Sequence, residues 1–313
     1  MRIGLDAMGG DFAPKAAVEG AQQAAKELGT TDSVVLFGDE DQLRAFMQPE
    51  DYQGGKLEIV HTPEYVGMGD HPTKAISHKP NSSIFKGFRH LKAGEIDAFA
   101  GAGNTGAMLV GAVYILNQIP GIIRPAITSI LPKIDGSTGI ILDVGLNPDA
   151  KPDVLYQYAI LGSLYAIHVF GIEKPKIALL NIGAEEEKGN INTQAAFRTM
   201  KDSIDFNFTG NIEANELFTG NADVVICDGF AGNIVLKEAE GIYNLIKNQG
   251  ISNAYFERFN YENYGGSPIL GVNGIAVVGH GMSSPLAIKN MILHAGEMYR
   301  SNLDSKIRTT INQ

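Results

Sequence analysis

Three observations predict a doubly wound α/β protein with a mostly parallel sheet. Short apolar runs alternate with helix-length segments along the whole chain, several of those runs lack polar alternation, and many end in glycine. Alternating elements of this kind build a sheet with helices on both faces. Strands covered on both faces lose the period-two pattern of a half-exposed sheet.

The strand readings begin with "RIGLD" (2–6), "VVLFG" (34–38), "LEIVH" (57–61) and "DAFAG" (97–101). They continue with "AITSIL" (126–131), "GIILDVG" (139–145), "KIALLNIG" (176–183), "ADVVICDG" (222–229) and "IAVVGHG" (275–281). Between them, 14–28 reads as a helix, with Pro14 in its first turn and Gly29 as its stop. A second helix, 82–94, is opened by a serine. Segments 151–171, 190–202, 232–248 and 284–303 complete the helices. No Pro/Ser-rich linker or internal repeat divides the chain. The expectation is one α/β domain over 1–313, with two closely joined subdomains permitted by the length.

Composition narrows the function. A net charge of −10 argues against nucleic acid, whose phosphates are held by Lys and Arg, and against a membrane attachment based on overall charge. The single cysteine, Cys227, leaves no disulfide framework, so a reducing cytoplasm is expected. An acid already at residue 6 is too early for a signal-peptide core. The longest apolar stretch, 106–116, falls short of the roughly 20 residues that cross a bilayer. It reads as a buried helix, and membrane contact is expected to be peripheral at most.

In doubly wound folds, ligands bind beyond the carboxyl ends of the strands. Six such ends here carry glycine with Asn, Asp, Lys or His: 6–11, 101–107, 143–147, 181–190, 228–233 and 279–281. Together they predict a polar, glycine-lined crevice. Gly101, Gly103 and Gly106 spell G-x-G-x-x-G, yet the following strand region, "RPAITSIL", lacks the acid that would hold a ribose. Glycine-rich loops that lead into helices hold anions through bare N–H groups, and Asn104 and Thr105 add side-chain donors.

No side chain stands out as a nucleophile. Cys227 lies in an apolar run and no G-x-S-x-G elbow occurs. The histidines lack metal-ligand spacing, and the acidic run 185–187 reads as a solvated loop, so no metal is expected. Lys188 and His280 are equally readable as an anion contact and a turn histidine with a site role, or as a surface lysine and a structural histidine. This inventory favours positioning and electrostatics over a covalent relay. Inorganic phosphate suits that role: it is largely dianionic at pH 7, and a thiolate leaving group with a pKa of about 8.5 needs little acid help.

The ordered motifs "DAMGGD", "NSS", "AGNTGA", "RPA", "LDVGLN", "KPDVLYQYA", "LLNIGAEEEKGN", "ADVVICDGFAGN", "YGGSPILGVNG" and "HG" closely resemble the bacterial phosphate acyltransferases of phospholipid synthesis, the PlsX type, over essentially the whole chain. The resemblance implies acyl transfer from acyl carrier protein to inorganic phosphate. The resulting acyl phosphate would serve a separate membrane glycerol-3-phosphate acyltransferase. It also implies a homodimer, no redox cofactor, and a fold similar to isocitrate/isopropylmalate dehydrogenases and phosphotransacetylases.

Matching motifs place Asp6, Gly9, Gly10 and Asp11 in the N-terminal loop, and Gly103, Asn104, Thr105 and Gly106 in a phosphate loop. Asp143 and Asn147, then Lys188 and Asn190, then Asp228, Gly229 and Asn233, and finally His280, fall in the remaining loops. Lys188, Asn233, Asp228 and His280 are the expected catalytic set, although each aspartate would equally suit a loop-fixing cap.

Three departures stand against that pattern. Ser77, His78 and Pro80 replace part of a basic cluster before "NSS", Val278 stands where lysine is common, and the segment 240–263 is short. In that segment Ile242, Leu245, Ile246, Ile251, Phe256 and Phe259 are expected to form one apolar face, better suited to a dimer interface than to anionic lipid. Lys86, Arg89 and Lys92, spaced along one predicted helix, are a candidate landing patch for an acidic carrier protein. The competing functions are phosphotransacetylase-like transfer from acyl-CoA, a decarboxylating 2-hydroxyacid dehydrogenase, and a non-catalytic acyl- or phosphate-binding partner of the membrane enzyme.

Overall fold

The computed structural model describes residues 1–48, 51 and 55–312. In chain order the first elements are β1 (Arg2–Asp6), α1 (Lys15–Glu27), β2 (Ser33–Gly38), α2 (Glu40–Arg44), β3 (Leu57–His61), α3 (Pro72–His78) and α4 (Ser83–Ala93). Then come β4 (Ala98–Gly101), α5 (Thr105–Val110, continued by a π-helical segment Gly111–Leu116), β5 (Ala126–Pro132), β6 (Thr138–Leu142), α6 (Pro152–Phe170) and β7 (Lys176–Leu180). The chain continues through α7 (Ile191–Met200), β8 (Asn207–Ile212), β9 (Val224–Ile226), α8 (Gly229–Asn248), β10 (Ser267–Leu270), β11 (Ile275–Val278), α9 (Pro285–Arg300) and α10 (Leu303–Ile311).

These elements belong to two compact units, Met1–Ile119 with Tyr261–Asp304, and Pro120–Asn260 with Ser305–Gln313. In the first unit the strands run in the order β3-β2-β1-β4-β11-β10. All neighbours are parallel except the β10–β11 pair. Every residue of β2, β4 and β11 is buried, as expected of strands covered on both faces. Phe99 on β4 packs edge-on against Phe37 and Phe88, at 5.8 and 4.9 Å between ring centroids. Gly87 on α4 makes this possible, because a Cβ there would lie 2.1 Å from the Phe99 ring.

The second unit carries β5-β6-β9-β7-β8, with β5 antiparallel to β6 and the rest parallel. Helix α6 buries Tyr158 and Tyr165 completely, and Gly162 lets it approach Val224 of β9. At the entry to this sheet Lys133, only 2 % exposed, is paired with Asp223 at 2.5 Å. The second oxygen of Asp223 accepts the Lys176 N–H, so the buried ammonium and both carboxylate oxygens are satisfied.

Several elements differ from the sequence reading. Ser82 stands at the N-cap of α4, but its hydroxyl makes no cap bond. Helix α8 starts at Gly229, three residues earlier than expected, because Asp228 caps it by accepting the Ala231 N–H. The helix expected over 284–303 ends at Arg300, and α10 follows as a separate helix. Strands β8 and β10 and helices α2 and α3 went unread.

Helix α1 packs on α9 through Gly20, where a Cβ would sit 2.5 Å from the Ile288 Cβ and 2.8 Å from the Pro285 carbonyl oxygen. Alanine is about 1 kcal/mol better than glycine in a helix interior, but overpacking against a β-branched residue and backbone costs about 1–3 kcal/mol. Gly20→Ala is therefore expected to lower stability in urea unfolding, with partial recovery in the Gly20→Ala/Ile288→Ala double variant.

Candidate active site

The six strand-end loops divide three and three between the units. In the first unit β1, β4 and β11 finish level, with Asp6 opposite Gly101 and Gly101 opposite Val278. Their loops are joined by backbone bonds from Gly279 N–H to the Gly101 carbonyl (2.9 Å) and from Asp11 N–H to the Gly281 carbonyl (2.8 Å). Gly9 and Gly103 touch backbone to backbone: a Cβ on Gly9 would lie 2.5 Å from Gly103 Cα. Gly10, at φ +103°, occupies the region that glycine alone enters without strain.

Asp6 lies beneath this contact, 1 % exposed. Its Oδ1 accepts the Met8 N–H at 3.2 Å, while Oδ2 has no hydrogen-bond partner. Burial pushes its carboxyl up to about 6; the nearby Ser83 hydroxyl and the Met8 and Gly9 N–H groups oppose the shift without cancelling it. Asn104 is fully employed. Its Oδ1 caps α5 by accepting the Ala107 N–H, and its Nδ2 donates to the carbonyls of Gly67, Met68 and Asp70 at 3.0–3.2 Å. The loop this amide grips is braced further by the Asp70–Lys79 ion pair at 2.6 Å.

With the Asn104 side chain spent, this loop offers a ligand the N–H groups of Thr105 and Gly106. Groups in the first turn of a helix have no acceptor within it. The Thr105 side chain is exposed. His280, half-buried, closes the cluster on the β11 side, with Nδ1 accepting the Met282 N–H at 3.1 Å.

In the second unit β6 and β9 end level, and β7 runs one residue further. Asp143 follows β6, buried completely, and accepts the N–H groups of Ile127, Leu146 and Asn147 and the Asn147 amide. Burial raises its pKa against these four bonds. Asn147 also donates to the Pro125 carbonyl (2.7 Å), and its own carbonyl accepts the Gly229 N–H (2.8 Å). Gly229 carries no Cβ because one would meet Asp143 Oδ2 at 2.8 Å. Asn190 caps α7 at Thr193 as Asp228 caps α8.

Two candidate donors of the second unit, Lys188 and Asn233, are left unspent among the described residues. Lys188 is exposed on a loop held by its own backbone, with its N–H on Glu185 and its carbonyl accepting from Asn181. Among the described residues nothing pairs with its ammonium group. Asn233, exposed on the first turns of α8, lies beside Gly145, whose φ is +116°.

The Cys227 Sγ is buried and donates to the Asp143 carbonyl, and burial raises its pKa well above the ordinary value, so it stays a thiol. Sequence reasoning gave no role to Arg124 of the "RPA" motif, whose Nη1 reaches Asn147 Oδ1 at 3.5 Å, nor to Tyr261, which stacks on His280. The quoted motif pointed to the first; nothing local pointed to the second.

The candidate carrier-protein patch lies on α4, but its cations are partly occupied. Lys86 donates to the His61 carbonyl at 2.8 Å and Arg89 to the Pro80 carbonyl, while Lys92 is exposed. The residues of 240–263 do not form one face. Ile242, Leu245 and Ile251 are exposed, whereas Phe259 packs against Phe218 and Tyr255. Arg258 is held by the carbonyls of Lys133 and Ser137.

The folded-state pKa of Asp6 lies above its ordinary value of 3.8, so the native state binds more protons than the unfolded state between about 4 and 6. Stability falls as pH rises through that window, and the cost of the buried charge, on the order of 2–3 kcal/mol, is fully present above it. Asp6→Asn keeps the acceptor for Met8 and faces Ser83 with a donor. Its melting temperature relative to the parent is expected to be higher at pH 8 than at pH 4.5; an unchanged difference would remove the buried charge from the account.

Residues 1–253 match the family described as "Fatty acid synthesis protein". The chain is 40% identical to a phosphate acyltransferase of Dictyoglomus turgidum, over all of this chain and 98% of that one. It is 42% identical to a phosphate acyltransferase of Pelotomaculum thermopropionicum, over 99% and 95%. Among solved structures, the EutD phosphotransacetylase of Staphylococcus aureus shares the fold, with a TM-score of 0.63 at 16% identity over 96% of this chain and 94% of that one. A branched-chain phosphotransacylase of Enterococcus faecalis does so with the same TM-score at 14% identity, over 96% and 99%. With identity at this level along the full length, the chain belongs to the phosphate acyltransferase family.

Proposed function

We propose that the protein transfers a fatty acyl group from acyl carrier protein to inorganic phosphate, reversibly, for phospholipid synthesis. A phosphate oxygen attacks the thioester carbonyl carbon, a C–O bond forms, the C–S bond breaks, and the carrier thiolate leaves and takes a proton from water. One observation carries the reading within this family. The Asp143 and Asp228 carboxylates and the Asn104, Asn147 and Asn190 amides are consumed in holding the strand-end loops. A set of donors, the Lys188 ammonium and the Asn233 amide, is left without a partner among the described residues. Such a set suits a reaction in which the substrate anion is itself the nucleophile.

In this proposal the loop Gly103, Asn104, Thr105 and Gly106 presents its N–H groups to phosphate. The Lys188 ammonium and the Asn233 amide stabilise negative charge developing on the acyl oxygen, and His280 donates to an oxygen of the bound anion. Asp6, Gly9, Gly10, Asp11, Asp143, Asn147, Asn190, Asp228 and Gly229 set the loop shapes.

Acyl phosphate then passes to the membrane glycerol-3-phosphate acyltransferase. Exposed Ile234, Ile242, Leu245 and Ile251 supply an apolar surface for a homodimer. Lys92, with what Lys86 and Arg89 leave free, meets the acidic carrier. Among the described residues no helix is long and apolar enough to cross a membrane, and the proposed site of action is the cytoplasm, with peripheral contact at most.

Purified protein offered palmitoyl carrier protein and phosphate is expected to yield acyl phosphate, trapped as hydroxamate with hydroxylamine. No product from this donor would overturn the reading, and equal rates with palmitoyl-CoA would transfer it to an acyl-CoA enzyme. Lys188→Ala is expected to lower kcat roughly 10²-fold while changing the melting temperature little, because its exposed ammonium makes no hydrogen bond or ion pair among the described residues. Charge reversal at Lys86 and Lys92 is expected to raise the KM for carrier protein and leave that for phosphate alone.

A further inference from the structure

His280 is held at its backbone, at one ring nitrogen and on one ring face by residues of the first unit. Its carbonyl accepts both the N–H and the hydroxyl of Ser283, at 2.9 and 2.6 Å. Its Nδ1 accepts the Met282 N–H. A backbone N–H can only donate, so this nitrogen carries no proton and the ring proton sits on Nε2. The imidazole lies on the Tyr261 ring, with centroids 4.9 Å apart and the planes tilted by 30°. The Tyr261 hydroxyl donates to the Met282 carbonyl at 3.0 Å, so one side chain supports the ring and fixes the residue whose N–H sets its tautomer.

Tyr261 is itself on a firm base. The next residue, Glu262, accepts from the Ser284 hydroxyl through its side chain and from the Asn290 amide (2.7 Å) through its carbonyl, which ties this turn to the start of α9.

We propose that Tyr261 is a positioning residue that keeps the His280 proton on Nε2, so that His280 serves this reaction as a fixed hydrogen-bond donor and not as a base. The part that concerns catalysis rests on the reading that the first-unit loops hold the substrate anion; the part that concerns the tautomer does not. A donor set in advance costs no reorganisation as charge develops on the oxygen it faces. Neither the hydroxyl nor the ring of Tyr261 needs to touch substrate for this role.

The test is the nitrogen NMR spectrum of histidine-labelled full-length protein, with His280 assigned by its loss in His280→Gln. In the parent, Nε2 is expected to be of the protonated type and Nδ1 of the unprotonated type. In Tyr261→Ala a second tautomer is expected, with kcat roughly tenfold lower and the KM for phosphate within about twofold. Tyr261→Phe, which keeps the ring, should retain mostly the Nε2–H form and recover most of the rate. Tyr261→Leu takes the place of the alanine variant should that fail to fold.

A single Nε2–H form and parental kcat in the alanine or leucine variant would overturn the proposal, as would a protonated Nδ1 in the parent. Parental activity in both His280→Gln and His280→Ala would instead overturn the role of His280 in the site, leaving the spectroscopic arm to decide the positioning of its ring.

Discussion

Two carboxylates buried where parallel strands stop organise the loops around them. A strand that ends inside a sheet leaves the next residues with N–H groups that still require acceptors away from water. Asp143 meets this need outright, taking three backbone N–H groups and one amide with its two oxygens. Asp6 stands at the corresponding place in the other unit with one bond made and one oxygen unpartnered. In both, glycine is required at the carboxylate: Gly9 and Gly103 beside Asp6, Gly229 beside Asp143. The glycine-rich character of the loops thus follows from the space around two acids as much as from any ligand.

Seen this way, the polar residues at the strand ends separate into those that build and those that remain available. Asn104, Asn147, Asn190 and Asp228 each bond to nearby backbone, and their side chains are committed. Lys188 is exposed on a loop that others shape, and Asn233 on the first turns of a helix that Asp228 caps. Such a division suits a chemistry with no covalent relay. In the proposed reaction the protein holds donors still, and the reacting groups belong to the substrates.

Much of the fold was legible because the buried strands are uninterrupted apolar runs, as in "VVLFG" and "IAVVGHG". What escaped has physical reasons. Strand β8, "NFTGNI", is mostly half-buried and carries two polar asparagines and a glycine, so no periodicity marks it. Helix α8 begins among glycines that look like loop until Asp228 is seen to cap them. For the site, the strand-end pattern indicated which loops matter. It did not indicate which side chains are spent, because Asn104 finds its partners in a loop far earlier in the chain. The pairing of Tyr261 with His280 was invisible for the same reason.

The grip of Asn104 on Gly67, Met68 and Asp70 also bears on motion. One amide serves as both the cap of α5 and the clasp of a neighbouring loop, so the two segments behave as a single rigid piece. Any widening at that place has to break three hydrogen bonds together or carry Thr105 along with the loop. A mutation at the clasp would therefore shift the N–H groups of Thr105 and Gly106 without touching them.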